Sequence, residues 1–122
     1  MHQSDIAAYR CRCAQFVLAI TPPLSNLPHR DPSICGVPSI VIPRNDGRCV
    51  FTINADRDRK STNLRRKDGK DERWFMYHCP RCNLAVAYDT ADKEAAFTYI
   101  LESALLPMDV DEGNSVNETR RI

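Results

Sequence analysis

The sequence predicts a mainly β fold, a small domain closed at two cysteine-bearing turns. Three observations carry this. Trp74 to Tyr77 and Leu84 to Tyr88 are apolar, strand-like runs on either side of the tight turn Cys79-Pro80-Arg81-Cys82. A second cysteine pair, Cys11 and Cys13, sits near the N-terminus in Tyr9-Arg10-Cys11-Arg12-Cys13. Between them Pro22, Pro23, Pro28, Pro32, Pro38 and Pro43 exclude a long helix. Two close cysteine pairs far apart in sequence are the pattern of four thiolates on one zinc ion, each pair a local clip. The expectation is therefore a zinc-stabilised β domain over 9–106, a flexible N-terminus over 1–8 and a disordered tail over 107–122.

The elements follow in order. Tyr9 to Ile20 reads as one hairpin arm, with Cys11 and Cys13 at i, i+2 on the same face. Phe16 to Ile20 is a continuous apolar run, the signature of a strand buried on both faces. Leu24 to Arg44 reads as irregular, with an edge strand over 37–42 whose pairing Pro38 and Pro43 limit. Asn45-Asp46-Gly47 is a turn signal, and 49–53 reads as the other arm of that hairpin. Asp56 to Arg73 reads as a polar connector. Its eight basic and five acidic residues give a local net of +3. Asp68-Gly69 is a further turn signal. In 95–106 the stripe Ala95, Phe97, Ile100, Leu101, Ala104 and Leu105 favours a helix, while the β-branched Thr98 and Ile100 also suit a buried strand.

Composition narrows the function. The chain has 122 residues, a net charge of +1 and six cysteines. So small a charge argues against bulk electrostatic binding to DNA or a membrane surface. The apolar run 16–20 is too short to span a bilayer or to serve as a secretory signal, so the expected compartment is nuclear or cytoplasmic, not secreted. Thiols stay reduced there, which favours zinc over disulfides. Four cysteinates leave no open coordination position, so the zinc is structural. His78 adjoins Cys79 and is a weak candidate ligand. Cys35 and Cys49 have no paired clip and read as small buried hydrophobes. Arg65, Arg66, Lys67 and Arg73, with Trp74 beside them, are the candidate contacts for RNA or a protein partner. A glycine-rich phosphate loop, a defensible Ser/His/Asp order and an open metal site are all missing, so the chain is read as non-catalytic with no small-molecule substrate. A redox C-x-x-C is the alternative for Cys79 and Cys82, but strand-like sequence follows Cys82 where a helix would be expected.

Several segments together resemble one family. Tyr9-Arg-Cys-Arg-Cys-Ala-Gln-Phe-Val-Leu is similar to the opening Y-x-C-x-C-G-Q-x-x-L of the STING ER exit protein family. Leu27-Pro28-His29-Arg30 resembles its L-P-x-R. Leu64-Arg65-Arg66-Lys67-Asp68-Gly69 with Glu72-Arg73 resembles its L-R-R-x-x-G-x-E-R. Cys79-Pro80-Arg81-Cys82-Asn83-Leu84 resembles its C-x-x-C-G-L, and Thr98-Tyr99-Ile100 its T-F-I. The motifs occur in family order from Tyr9 to Leu106. The resemblance implies a β-rich cysteine-bearing domain and turns 97–106 from helix to strand–turn–strand, with Glu102-Ser103 as the turn. It implies a scaffold role in ER-exit traffic or a nuclear, spliceosome-linked complex, without catalysis. The chain departs from the pattern at Ala14 and Asn83, which replace the glycines after each cysteine pair. Its middle, 35–58, is longer. The family's charged helical C-terminal region has no counterpart up to Ile122.

Overall fold

The computed structural model describes residues 6–108. The expected tail lies outside them, apart from Pro107 and Met108, as do the first five residues. The described chain forms eleven strands, all paired antiparallel, in two sheets. The smaller sheet contains β1 (Ala7–Cys11), β2 (Phe16–Thr21), β5 (Val50–Ile53) and β11 (Leu105–Pro107), in the order β11-β1-β2-β5. The larger contains β3 (His29–Arg30), β4 (Ser39–Pro43), β6 (Asp56–Arg57), β7 (Thr62–Arg65), β8 (Asp71–His78), β9 (Ala85–Asp89) and β10 (Phe97–Leu101). Its order is β3-β4-β10-β9-β8-β6, with β7 also paired to β8. The chain passes back and forth between the sheets, and their inner faces share one core. Tyr9, Leu18 and Ile20 come from the small sheet; Ile42, Tyr77, Val86 and Ile100 come from the large one.

The mainly β expectation holds, and four local readings are corrected. Tyr9 to Ile20 is a complete hairpin, β1 and β2, not one arm. The strand read at 37–42 runs 39–43 and is not an edge, since β3 and β10 flank it. The amide N–H of Arg44 donates to Ala96 O at 2.9 Å. N–H directions alternate along a strand, so the missing N–H of Pro43 falls on the side away from β10 and costs no hydrogen bond there. The turn at Asn45-Asp46-Gly47 exists, with Gly47 at φ +76°, but it joins no hairpin. β4 pairs with β10, and β5 pairs with β2 in the other sheet. The stretch 56–73 is not a connector: it holds β6, β7 and the start of β8. Its polarity is that of edge strands facing water, and Asp68-Gly69 is the β7–β8 turn, with Gly69 at φ +88°.

The helical stripe at 95–106 is also overturned, in favour of the strand–turn–strand that the family resemblance implies. β10 lies between β4 and β9. There Thr98 and Ile100 are buried, while Phe97 is 43% exposed. The alternation of a strand prevails over the helical period because β10 completes a central ladder. β11 then crosses to pair with β1.

The outer face of the large sheet explains two of the sequence motifs. Trp74 stacks on Tyr88 with ring centroids 3.6 Å apart, and Tyr88 on Tyr99 at 5.0 Å. Arg30 lays its guanidinium 4.8 Å from the Tyr99 ring and grips Glu72 with both terminal nitrogens, one bond at 2.8 Å. It also donates to the Tyr88 hydroxyl at 3.0 Å, and Trp74 Nε1 donates to Glu72 at 2.7 Å. Arg66 approaches the same carboxylate at 3.5 Å. The arginine of Leu27-Pro28-His29-Arg30 thus meets the glutamate that precedes Arg73. The Arg30 and Glu72 side chains are 13% and 12% exposed, so the pair is largely withdrawn from water.

Removing one member of such a pair leaves the other charge buried, which costs about 3–5 kcal/mol. Glu72→Gln should destabilise the domain by roughly 3 kcal/mol in urea unfolding; a change under about 0.5 kcal/mol would contradict the pairing. The Arg30 hydrogen bonds hold the Glu72 carboxyl below its ordinary value of 4.5. Its contribution is therefore complete above that value and declines as pH falls below it. Glu72→Gln should flatten the acid limb of stability against pH.

Candidate metal centre

Each cysteine clip is built by backbone hydrogen bonds that fold the chain back on itself. In the first, Cys11 N–H donates to Gln15 O at 2.8 Å and Ala14 N–H to Cys11 O at 2.9 Å. In the second, Cys79 N–H donates to Leu84 O at 2.8 Å and Asn83 N–H to Cys79 O at 2.9 Å. The two clips are the same device, and each closes with a left-handed residue: Ala14 at φ +79° and Asn83 at φ +67°. These are the positions where the chain departs from the family's glycines. Cys11 is the last residue of β1, and Cys13 lies in the turn after it, so the expected pairing on one strand face is corrected: the turn, not strand alternation, brings Cys13 round.

β1 belongs to the small sheet and β8 to the large one, so the site bridges the two. Cys11 and Cys79 are buried, Cys13 is half-buried and Cys82 is exposed. Cys11 Sγ lies 3.4 Å from Cys82 Sγ, and Cys13 Sγ 3.6 Å from Cys79 Sγ. All four sulfurs fall within 4.8 Å of one another. The close contacts run between the clips. A tetrahedron of sulfurs about 2.3 Å from a zinc ion has edges of about 3.8 Å, which this cluster approaches. A disulfide needs about 2.05 Å, and all four are free thiols. The four cysteines expected from spacing are thus brought together in an arrangement that could hold a metal ion.

The thiols do not titrate alike. Burial pushes the Cys79 thiol up, but hydrogen bonds from the backbone N–H groups of Cys82 and Arg81 and from the Cys13 and Cys11 thiols together bring it down to about 7. The Arg81 N–H lies 3.4 Å from Cys79 Sγ. At Cys82 the Leu84 N–H pulls down, yet hydrogen bonding to Cys11, burial and the other two thiols raise it to about 12. One proton leaves this cluster readily and another is held hard, because each further thiolate faces its neighbours' charge. A bound dication removes that repulsion.

Side chains that spacing could not reveal reinforce the clips. Arg81 donates to Cys13 O at 3.3 Å, one clip to the other. Arg12 donates from Nε and an Nη to Ser103 O, at 3.2 and 2.9 Å, tying the first clip to the turn after β10. His78 is not among the clustered ligands. Its Nδ1 lies 3.2 Å from Asn83 O and its Nε2 3.1 Å from an Asp58 oxygen. Such a ring braces the second clip. Cys49 packs against the core, and the side chain of Cys35 falls outside the described residues.

The candidate contact residues share the β7–β8 hairpin but not one surface. Arg65 pairs with Asp71, and both side chains are 70% exposed. Arg66 pairs with Asp68 at 2.7 Å. Lys67 is exposed, and its N–H donates to Ile34 O at 3.0 Å. Arg73 donates to Ser61 Oγ at 3.1 Å and covers the Phe75 ring. Trp74 is 6% exposed, its ring covered by the stack on Tyr88. The hairpin therefore presents charge at its surface, with little ring face from Trp74.

Alanine in the left-handed region carries a penalty of roughly 1 kcal/mol that glycine does not. Ala14→Gly should therefore stabilise the folded chain by about 0.5–1 kcal/mol in chemical denaturation. Stabilities equal to or below the parent's would contradict a left-handed Ala14.

Both clips lie within the region 1–115 matched by the model of the STEEP1 domain, and that region includes every described residue. The motifs that meet at Glu72 lie there too. The chain belongs to the STEEP1-domain family, that of the STING ER exit protein.

Proposed function

We propose that this chain is a non-catalytic protein-interaction module whose fold is held by one structural zinc ion on Cys11, Cys13, Cys79 and Cys82. The single observation that carries the reading is the four-sulfur cluster drawn from two sheets. Zinc suits it because it accepts four thiolates in a tetrahedron without an orbital preference. Zn²⁺ with four thiolates carries a formal −2, and Arg10, Arg12 and Arg81 stand around it. Four protein ligands leave no site for a catalytic water, so the metal works by joining the sheets. The 65 residues between Cys13 and Cys79 form a long loop. Closing a loop of that length limits the unfolded chain by on the order of 4 kcal/mol, in the arithmetic used for a cross-link.

Membership of the family supports a role as an assembly subunit, in ER-exit traffic or in a nuclear complex, with protein partners. No described helix is long and apolar enough to cross a membrane, consistent with a module that meets its partners at its surface.

Native mass spectrometry of the purified chain should find one zinc per chain. The double variant Cys79→Ser, Cys82→Ser should lose both the metal and the cooperative thermal transition. A metal-free chain whose unfolding is indifferent to chelator would overturn the reading. Reversible Cys79–Cys82 disulfide formation in that chain would point to thiol redox chemistry instead.

A further inference from the structure

The metal end of the molecule carries a recess that the zinc reading leaves unused. It has a volume of about 270 Å³ and is lined by Arg12, Val37, Pro38, Leu84, Leu101 and Ala104, among others. The lining comes from several parts of the chain: the first clip, the segment before β4, the exit of the second clip, the end of β10 and the turn after it. Leu84 directly follows the second clip and is 40% exposed, one of few large apolar side chains so placed. A recess of this size has room for an aliphatic side chain, and the apolar walls favour burying one.

The rim is basic. Arg12 lines the recess with one guanidinium edge fixed on Ser103 O, which leaves its other edge available to a ligand. Arg81 is held by Cys13 O and Arg10 by Cys11 O. Among the described residues no carboxylate lies in ion-pair distance of these three arginines. An anchored guanidinium has already lost much of its rotamer freedom, so a carboxylate bound to it pays less in ordering.

We infer that this recess is the docking site for a protein partner that inserts one aliphatic side chain between Leu84 and Leu101 and sets a flanking acidic residue against the open edge of Arg12. The inference rests on the zinc reading, since the two clips form part of its wall.

The test is an NMR titration of the isotope-labelled, zinc-loaded full chain with a short peptide that has one central leucine flanked by glutamates. Amide shifts should concentrate at Arg12, Leu84, Ala85 and Ser103. Replacing the glutamates by lysines should weaken binding at least tenfold. Arg12→Glu should weaken the acidic peptide and strengthen the lysine one. Leu84→Ser, with zinc still at one per chain, should lose at least tenfold in affinity. Absent shifts at these amides up to millimolar peptide would overturn the inference, as would equal binding of the lysine peptide. An oligouridylate that shifts the same amides and ignores Leu84→Ser would also overturn it, in favour of a nucleic-acid site. Zinc measured on the same sample separates the two failures: zinc present without docking sinks only this inference, and zinc absent sinks the reading beneath it.

Discussion

Four sulfurs gather where the molecule's two sheets meet, close enough to one another to hold a metal ion. Cys11 ends a strand of the small sheet, and Cys79 follows a strand of the large one. Close contacts run across the gap, Cys11 to Cys82 and Cys13 to Cys79. The neighbouring structure is arranged to hold them there. Backbone hydrogen bonds shape both turns, Arg81 ties the clips to each other, and Arg12 ties the first to the turn beyond β10. A domain of this size buries a modest core, and a metal cross-link is the usual supplement.

Behind the clips the large sheet is fixed by a second constraint of another kind. Arg30 and Glu72 sit 42 positions apart in sequence and form a largely buried ion pair beside the Trp74–Tyr88–Tyr99 stack. The pair locks the irregular stretch before β4 onto β8, which leads directly into the second clip. Asp89 serves the inner face in a similar way. It is 3% exposed and accepts from Tyr77 at 2.8 Å, Thr98 at 2.6 Å and Arg57 at 3.1 Å. Every one of these partners lies on a different strand, so the carboxylate stitches β6, β8 and β10 to β9. Such networks specify register, because a slip of one residue turns each partner to the wrong face.

Much of this was legible in the sequence. The cysteine spacing located all four clustered thiols, because ligand pairs are local patterns. The strand on each side of Cys79 and the turn at Asp68-Gly69 are local as well. What was not legible depends on which strand pairs with which. Asn45-Asp46-Gly47 makes the same turn whether β5 returns beside β4 or crosses to β2. Phe97 to Leu106 fits a helical stripe until β4 and β9 supply neighbours on both sides, and there the ordered motifs of the family carried information that local periodicity lacked. The polar run 56–73 hid two strands because edge strands need no apolar alternation. Trp74 illustrates a further limit: an aromatic beside arginines has the same sequence signature whether it stacks on a base or on Tyr88.

The claim on which all of this turns is that one metal ion bonds to four thiolates from two sheets. X-ray absorption at the zinc edge of the purified chain addresses it directly. The account predicts a single shell of four sulfurs at about 2.3 Å with no nitrogen or oxygen scatterer in it. A shell containing light atoms, or fewer than four sulfurs, would contradict it, because the sheets would then not be joined by the complete cysteine set.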